Sequence, residues 1–258
     1  MLLTPTELTG EHDPSIACRG GCARCGREHT LPVGPSHGPA VELFRRLEQE
    51  GRIDFDAPAA DPRFSIEYLL GDARGQMFGV LVVRNGQGQT GVLKAFSGQY
   101  NSVWEVDGWV PPLLDVARFK RDTLAGEQRI KAMGREILGL PKGAPARDAL
   151  IDKRKKASQV LMQEIHAMYT LPNFRGERLP LPSATHGQGG VPTGTGDCCA
   201  PKLLGYAALN GLTPLGLSEF YFGRANRSGL KAHGEFYPSC PDKCARILGF
   251  MLCGLEGA

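Results

Sequence analysis

Residues 77–98 read MFGVLVVRNGQGQTGVLKAFSG and show the strongest strand pattern in the chain. Met77–Val83 is a strongly apolar run, and Gly91–Gly98 is a second segment with strand character. Between them lies Asn85–Gly88, which begins with the Asn-Gly pair that is typical of tight turns. This pattern predicts an antiparallel β-hairpin.

The segments around this hairpin alternate between helical and strand patterns. Apolar residues at helical spacing predict three helices, over Pro39–Arg52, Cys198–Leu209 and Pro241–Leu255. Two further strands are predicted, over Phe64–Leu70 and Pro214–Phe222. A long polar helical pattern at about residues 115–169 is interrupted near its middle. We therefore expect an α/β fold: a small central sheet that includes the β-hairpin, flanked by helices, with an inserted helical hairpin.

Composition sets limits on the class of protein. The 258 residues are 41% hydrophobic and 22% charged, as in an ordinary globular protein. We expect a Cys-rich lead over residues 1–35 and one α/β domain over residues 36–258. The net charge of +3 neither requires nor excludes a nucleic-acid partner. No apolar run approaches the ~20 residues that cross a bilayer, and the sequence shows no signal-peptide pattern. Eight cysteines then favour a cytoplasmic protein whose thiols are metal ligands or reduced core residues.

Two cysteine groups lie where helices are predicted to begin. They are TGTGDCCAPKLL (residues 193–204) and FYPSCPDKCARIL (residues 236–248). A helix N-terminus favours thiolate, and two such ends that face each other would supply three thiolates to zinc and leave a fourth position for water. The candidate ligands are Cys198, Cys199, Cys240 and Cys244. The alternative is that these thiols are reduced and packed under helix ends, with Cys253 an ordinary core residue.

The order of hairpin, cysteine helix, strand and cysteine helix resembles the cytidine-deaminase-like fold. That resemblance implies a zinc-bound water and a glutamate that shuttles the proton. The glutamate position is Ala200 or Pro201 here, and the second motif is Cys-x3-Cys instead of Cys-x2-Cys. Glu219 and Glu235 are the substitute acids and therefore the candidate catalytic residues.

The N-terminal cysteines form a second candidate metal site. Cys22-x2-Cys25-Gly has the shape of a zinc knuckle, and Cys18 and His29 would complete a Cys3His set. The Cys-x3-Cys-x2-Cys spacing also matches the iron–sulfur motif of radical S-adenosylmethionine enzymes, which need a large barrel that this sequence does not predict. An unmetallated segment is the third alternative.

One basic run is a candidate contact for nucleic acid. Lys153, Arg154, Lys155 and Lys156 follow one another in the predicted helical hairpin. Such a run is either a solvated helix face or a contact for RNA phosphates.

Several longer motifs resemble the N-terminal, non-catalytic region of large RluA-type RNA pseudouridine synthases. The resemblance covers roughly residues 64–255 and is carried by MFGVLVV (77–83), AFSG (95–98), VPP (110–112), GTGDCCAPKLL (194–204), SEFY (218–221) and GEFYPSC (234–240). It implies a role in RNA modification. In that family a following domain holds a His-Arg-Leu-Asp type motif, whose aspartate attacks the uridine. The nearest fragment here, ERLP (177–180), lacks that aspartate, so no catalytic residue can be transferred.

Three functions follow from these observations. The first is an accessory module in RNA modification that binds RNA or the modifying enzyme and lacks the catalytic aspartate motif. The second is a zinc-dependent hydrolase of deaminase-like architecture. The third is a structural zinc protein.

Overall fold

The central element is β3 (Gln76–Arg84), which lies inside a four-stranded antiparallel sheet. This computed structural model describes residues 16–255. The strand order is β4-β3-β7-β8, where β4 is Thr90–Phe96, β7 is Thr213–Phe222 and β8 is Phe236–Tyr237. Leu81 pairs with Leu93 on one side and with Leu217 on the other. The predicted hairpin and the α/β class are confirmed.

Helices cover both faces of β3, so its residues are buried on both sides. Side chains that alternate along a strand point to opposite faces. Leu81 and Val83 therefore face one core, which contains α6 (Cys199–Leu209) and α7 (Ala245–Leu252). Phe78 and Val80 face a second, aromatic core under α1 (His37–Glu50). The sheet thus separates the two predicted cysteine helices from the first helix.

One predicted strand is wrong. Phe64–Leu70 forms the end of a 3-10 turn at Pro62–Phe64 and a short helix, α2 (Glu67–Leu70). The Asp61 carboxylate accepts a hydrogen bond from the backbone N–H of Arg63 and caps the turn. A short apolar run does not distinguish a strand from a helical turn by its periodicity, and here the cap settles the outcome.

The predicted helical hairpin is present as α3 (Val116–Gly139) and α4 (Pro145–Ala167), which pack on each other. We call this pair the arm. At ~1.5 Å per residue, the 24 residues of α3 extend about 36 Å. A short helix, α5 (Leu181–Ala184), contacts the end of the arm. In residues 16–255, no helix is both long and apolar enough to cross a membrane.

The described part of the Cys-rich lead forms a small hairpin of β1 (Cys18–Gly21) and β2 (Glu28–Leu31) that packs on α7. The first fifteen residues of the predicted lead lie outside the described range. A second small hairpin, β5 (Thr170–Pro172) with β6 (Arg178–Pro180), follows the arm. These two hairpins and the end of α7 surround the candidate metal centre.

Candidate metal centre

Four soft ligands meet at the tip of the β1–β2 hairpin. Within residues 16–255, the one set of three or more Cys, His, Asp or Glu residues whose ligand atoms all lie within 4.8 Å of one another is Cys22, Cys25, His29 and Cys253. Cys25 Sγ lies 3.1 Å from His29 Nε2. Three of the four residues are buried, and Cys25 is partly exposed. A Cys3His set at this spacing could hold one tetrahedral metal ion.

The turn between β1 and β2 points backbone N–H groups at its sulfur atoms. The Cys22 thiol accepts hydrogen bonds from the amides of Arg24 and Cys25, and the Cys25 thiol accepts one from the amide of Arg27. The backbone can turn in this way because Gly26 adopts a φ of +71°. The amide of Arg27 foremost, with side-chain contacts from His29, Cys22 and Arg27, lowers the pKa of the Cys25 thiol to about 6. The turn therefore favours the thiolate that a metal ion requires.

Helix α7 brings the fourth ligand, Cys253, to this turn from the other end of the chain. The helix lies directly on β1 because glycines line the contact. A Cβ on Gly249 would lie 2.3 Å from the carbonyl oxygen of Gly21, and one on Gly20 would lie 2.1 Å from the carbonyl oxygen of Ala245. Cys253 is the C-cap residue of α7, and its position follows from this close approach.

Cys18, which the sequence analysis assigned to this site, does not belong to it. Cys18 pairs with Leu31 in the β1–β2 ladder, and at ~3.3 Å per residue its four-residue separation from Cys22 corresponds to about 13 Å. Two thiolates on one zinc ion lie at most about 4.6 Å apart, twice the Zn–S distance. Burial raises the pKa of the Cys18 thiol to about 12, which keeps it protonated. The structure places Cys253, and not Cys18, beside Cys22, Cys25 and His29.

Sequence reasoning missed Cys253, which it offered only as a core residue. The missed signal is the dipeptide Cys253-Gly254, which repeats the Cys25-Gly26 pair of the knuckle. Gly254 has a φ of +108°, and a Cβ there would lie 2.6 Å from the backbone of Phe174. The glycine thus lets the chain after α7 pass close to the β5–β6 turn.

Two arginines border the candidate centre. Arg175 Nε donates a hydrogen bond to Cys253 Sγ over 3.2 Å. Arg24, within the knuckle, forms a 2.6 Å ion pair with Glu177 in the β5–β6 turn. A divalent metal ion bound by three thiolates forms a centre with net negative charge. Positive side chains beside that centre offset its charge.

The second predicted site is only partly assembled. The thiols of Cys198, Cys240 and Cys244 interact with one another where α6 and α7 begin. Hydrogen bonds from its two partners, together with the amides of Lys243 and Cys244, lower the pKa of the Cys240 thiol. The structure thus brings these three predicted residues together.

Cys199 is the predicted ligand that points elsewhere. Its thiol is buried and donates a hydrogen bond to the carbonyl oxygen of Met77 over 3.4 Å. Adjacent residues at a helix start point in different directions, so Cys198 and Cys199 do not face the same neighbours. The structure thus gives the Cys199 thiol a backbone partner in β3.

The two candidate catalytic acids have very different surroundings. Glu219 Oε1 accepts a hydrogen bond from the amide of Ala200 over 3.3 Å, and burial raises the pKa of the Glu219 carboxyl. Glu235 is exposed, and its backbone carbonyl pairs with the amide of Tyr221. Only Glu219 is thus placed beside the first turn of α6.

The basic run Lys153–Lys156 is exposed on α4. It forms no part of either cysteine cluster. Solvent and large ligands can reach all four side chains.

No protein-family model, no curated protein and no solved structure matches this chain. The resemblances to RluA-type synthases and to the deaminase-like fold stay predictions.

Proposed function

We propose that Cys22, Cys25, His29 and Cys253 bind one structural zinc ion. Three thiolates and one imidazole form a ligand set typical of structural zinc, and four protein ligands leave no position for substrate. All eight cysteines are free thiols, which suits a reducing compartment, and we propose the cytoplasm. The ion would join the β1–β2 hairpin to the end of α7.

The function we propose for this zinc-stabilised protein is that of an accessory module in RNA modification, which binds RNA through the arm. The observation that carries this proposal is the charge of the arm. Residues 116–167 contain twelve Lys or Arg and six Asp or Glu, a net charge of +6, whereas the whole chain carries +3. The rest of the chain is therefore net negative, and the positive charge is concentrated on one protruding element. A localised basic surface of this kind attracts a polyanion.

The shape of the arm also supports a macromolecular partner. Four large apolar side chains of the arm are exposed: Leu124, Leu138, Ile151 and Val160. Apolar groups interleaved with cations contact the sugars and bases of a structured RNA as well as its phosphates.

The test compares a charge-neutralised arm with an equally neutralised body. The arm variant replaces Lys153, Arg154, Lys155 and Lys156 by Gln. The control replaces four exposed arginines outside the arm by Gln: Arg45, Arg84, Arg178 and Arg227. Binding to a structured ribosomal RNA fragment is measured by fluorescence anisotropy over a range of salt concentrations. The arm variant should bind weakly, and its slope of log affinity against log salt should fall by about 3, as expected for four lost phosphate contacts. Equal losses in both variants would point to general charge attraction and reject the arm as the binding site.

A second candidate function, a zinc-dependent hydrolase, is favoured by one observation: the buried carboxyl of Glu219 lies beside the helix start that carries Cys198. A metal held by Cys198, Cys240 and Cys244 would keep a position for water, with Glu219 as the acid. This candidate requires a second equivalent of metal that is lost in Cys240→Ser but kept in Cys199→Ser. If wild-type protein holds a single equivalent and Cys240→Ser retains it, the hydrolase is excluded. If RNA binding also fails, the structural zinc protein is the remaining function.

A further inference from the structure

A cavity of about 200 Å³ lies at the foot of the arm, where α3 begins and α4 ends. Its walls come from the arm, from the loop after β4 and from the loop before α6. The residues that the argument uses are Trp104, Phe119, Met162, His166, Tyr169 and Asp197. Trp104, His166 and Tyr169 are largely buried, so the cavity is part of the packed interior and opens beside the arm.

The size and the walls of this cavity select a single ring system. Pockets for drug-sized ligands measure roughly 300–1,000 Å³, so a cavity of about 200 Å³ takes a smaller group. Trp104 and Phe119 meet edge to face, with ring centroids 5.5 Å apart and an interplanar angle of 73°. This edge-to-face pair offers one aromatic face and one aromatic edge to a flat ligand. Met162 adds an adaptable apolar wall.

Polar side chains, among them Gln99, Thr195 and Asp197, distinguish this cavity from a purely apolar one. Asp197 Oδ1 accepts a hydrogen bond from the Tyr169 hydroxyl over 2.5 Å. This is the one hydrogen bond to the Asp197 side chain among residues 16–255, so its second carboxyl oxygen can accept from a ligand. Burial lowers the pKa of His166, so its imidazole is neutral near neutral pH, and the cations that act on the Asp197 carboxylate are Lys202 and Lys243. The cavity thus suits a flat ring that carries an amino group or another N–H donor.

We propose that this cavity binds one nucleobase, with its ring in the corner of Trp104 and Phe119 and its amino edge toward Asp197. Phe119 lies in the first turn of α3, and Met162 lies near the end of α4, so a strand bound along the basic arm passes the opening. Binding of a base within a strand rests on the proposed RNA function, whereas binding of a free nucleoside does not. Unstacked bases held against aromatic side chains are a general mode of single-strand recognition.

The first experiment uses free nucleosides and the full chain. Adenosine and purine riboside differ only in the amino group at C6, and calorimetry measures their dissociation constants. Adenosine should bind about tenfold or more tightly than purine riboside, because the lost hydrogen bond to a carboxylate is an expensive one. Met162→Trp, which fills the cavity, should abolish binding. Glu164→Trp, at an exposed position of the same helix that does not line the cavity, should leave adenosine binding unchanged.

The second experiment places the base in a strand of RNA. A short single-stranded RNA that binds the protein is compared with copies in which one nucleotide at a time is abasic. One abasic position should weaken binding about 5- to 150-fold, the range expected for the loss of one base–aromatic stack, and Met162→Trp should remove this difference. The Gln variant of Lys153–Lys156 should weaken all strands alike and leave adenosine binding intact.

Three results would overturn the proposal. The first is that neither adenosine at millimolar concentration nor any single base in the strand contributes to binding. The second is that Met162→Trp leaves both intact while circular dichroism and metal content match the wild type. The third is that apolar rings without N–H groups, such as indene, bind as well as adenosine. If RNA binding fails but adenosine binding holds, the RNA function falls and the cavity proposal stands.

Discussion

Arg175 shows how a single side chain outside the ligand set tunes the candidate metal centre. Its guanidinium donates to the sulfur of Cys253 and stabilises the negative charge that develops there. Sequence alone gave no reason to single out Arg175, because its partner sulfur lies 78 residues further along the chain. The knuckle itself was predictable because its ligands Cys22, Cys25 and His29 lie within eight residues. Cys253 was not, because only tertiary packing brings it there.

Replacing Arg175 by Gln should weaken zinc binding about 10- to 100-fold, the usual range for a residue that hydrogen-bonds a metal ligand. Competition with a chromophoric chelator measures the affinity. The control is Arg178→Gln, three residues away and also exposed. The same affinity in both variants would show that the Arg175 contact with Cys253 does not contribute to metal binding.

His166 gives the protein a specific pH dependence. Burial lowers the pKa of its imidazole below the ordinary value of 6.5, so the unfolded chain takes up this proton at a higher pH than the folded protein does. The free energy of unfolding should therefore fall as the pH drops below about 6.5. His166→Gln should reduce this loss, as measured by urea unfolding of both proteins at about pH 7.5 and pH 5.5. An equal loss in both proteins would show that His166 is not the titrating group.

At the scale of elements, the central hairpin and the arm were predictable because their patterns are local. Residues 76–96 show strand character around an Asn-Gly turn, and the arm shows a long helical pattern broken once. The contact between α7 and β1 was not predictable. It depends on Gly20 and Gly249, whose role is to let two backbones approach, and a glycine in a sequence does not reveal which backbone it meets.

Replacing Gly249 by Ala should push α7 away from β1, because the added Cβ meets backbone atoms that cannot turn aside. We expect a loss of about 1–3 kcal/mol in the free energy of unfolding, together with weaker zinc binding, since Cys253 moves with the helix. The control is Gly134→Ala in α3, where a Cβ makes ordinary contact with Arg154. That change should stabilise the protein by about 0.5–1 kcal/mol through helix propensity. If both variants keep wild-type stability and metal affinity, the proposed close packing is absent.

At the scale of the whole molecule, the candidate metal centre joins parts of the chain that are 228 positions apart, from Cys25 to Cys253. An ion bound only by the folded protein adds its binding energy to stability, which offsets the entropy cost of closing so long a loop. The short hairpin of β1 and β2 packs on α7 through the glycine contact, and a bound ion would tie its tip to the end of the same helix. The arm packs mainly on itself and on α5, and it carries a net positive charge.

The most direct measurement of the central claim is the zinc content of three proteins purified without added metal: wild type, Cys253→Ser and Cys18→Ser. Native mass spectrometry counts the bound ions in each. The Cys3His centre predicts that wild type and Cys18→Ser retain a zinc ion at this site and that Cys253→Ser loses it, with a lower unfolding temperature. Full zinc content in Cys253→Ser together with loss in Cys18→Ser would contradict the structure, and wild-type protein free of metal would contradict the proposed zinc centre.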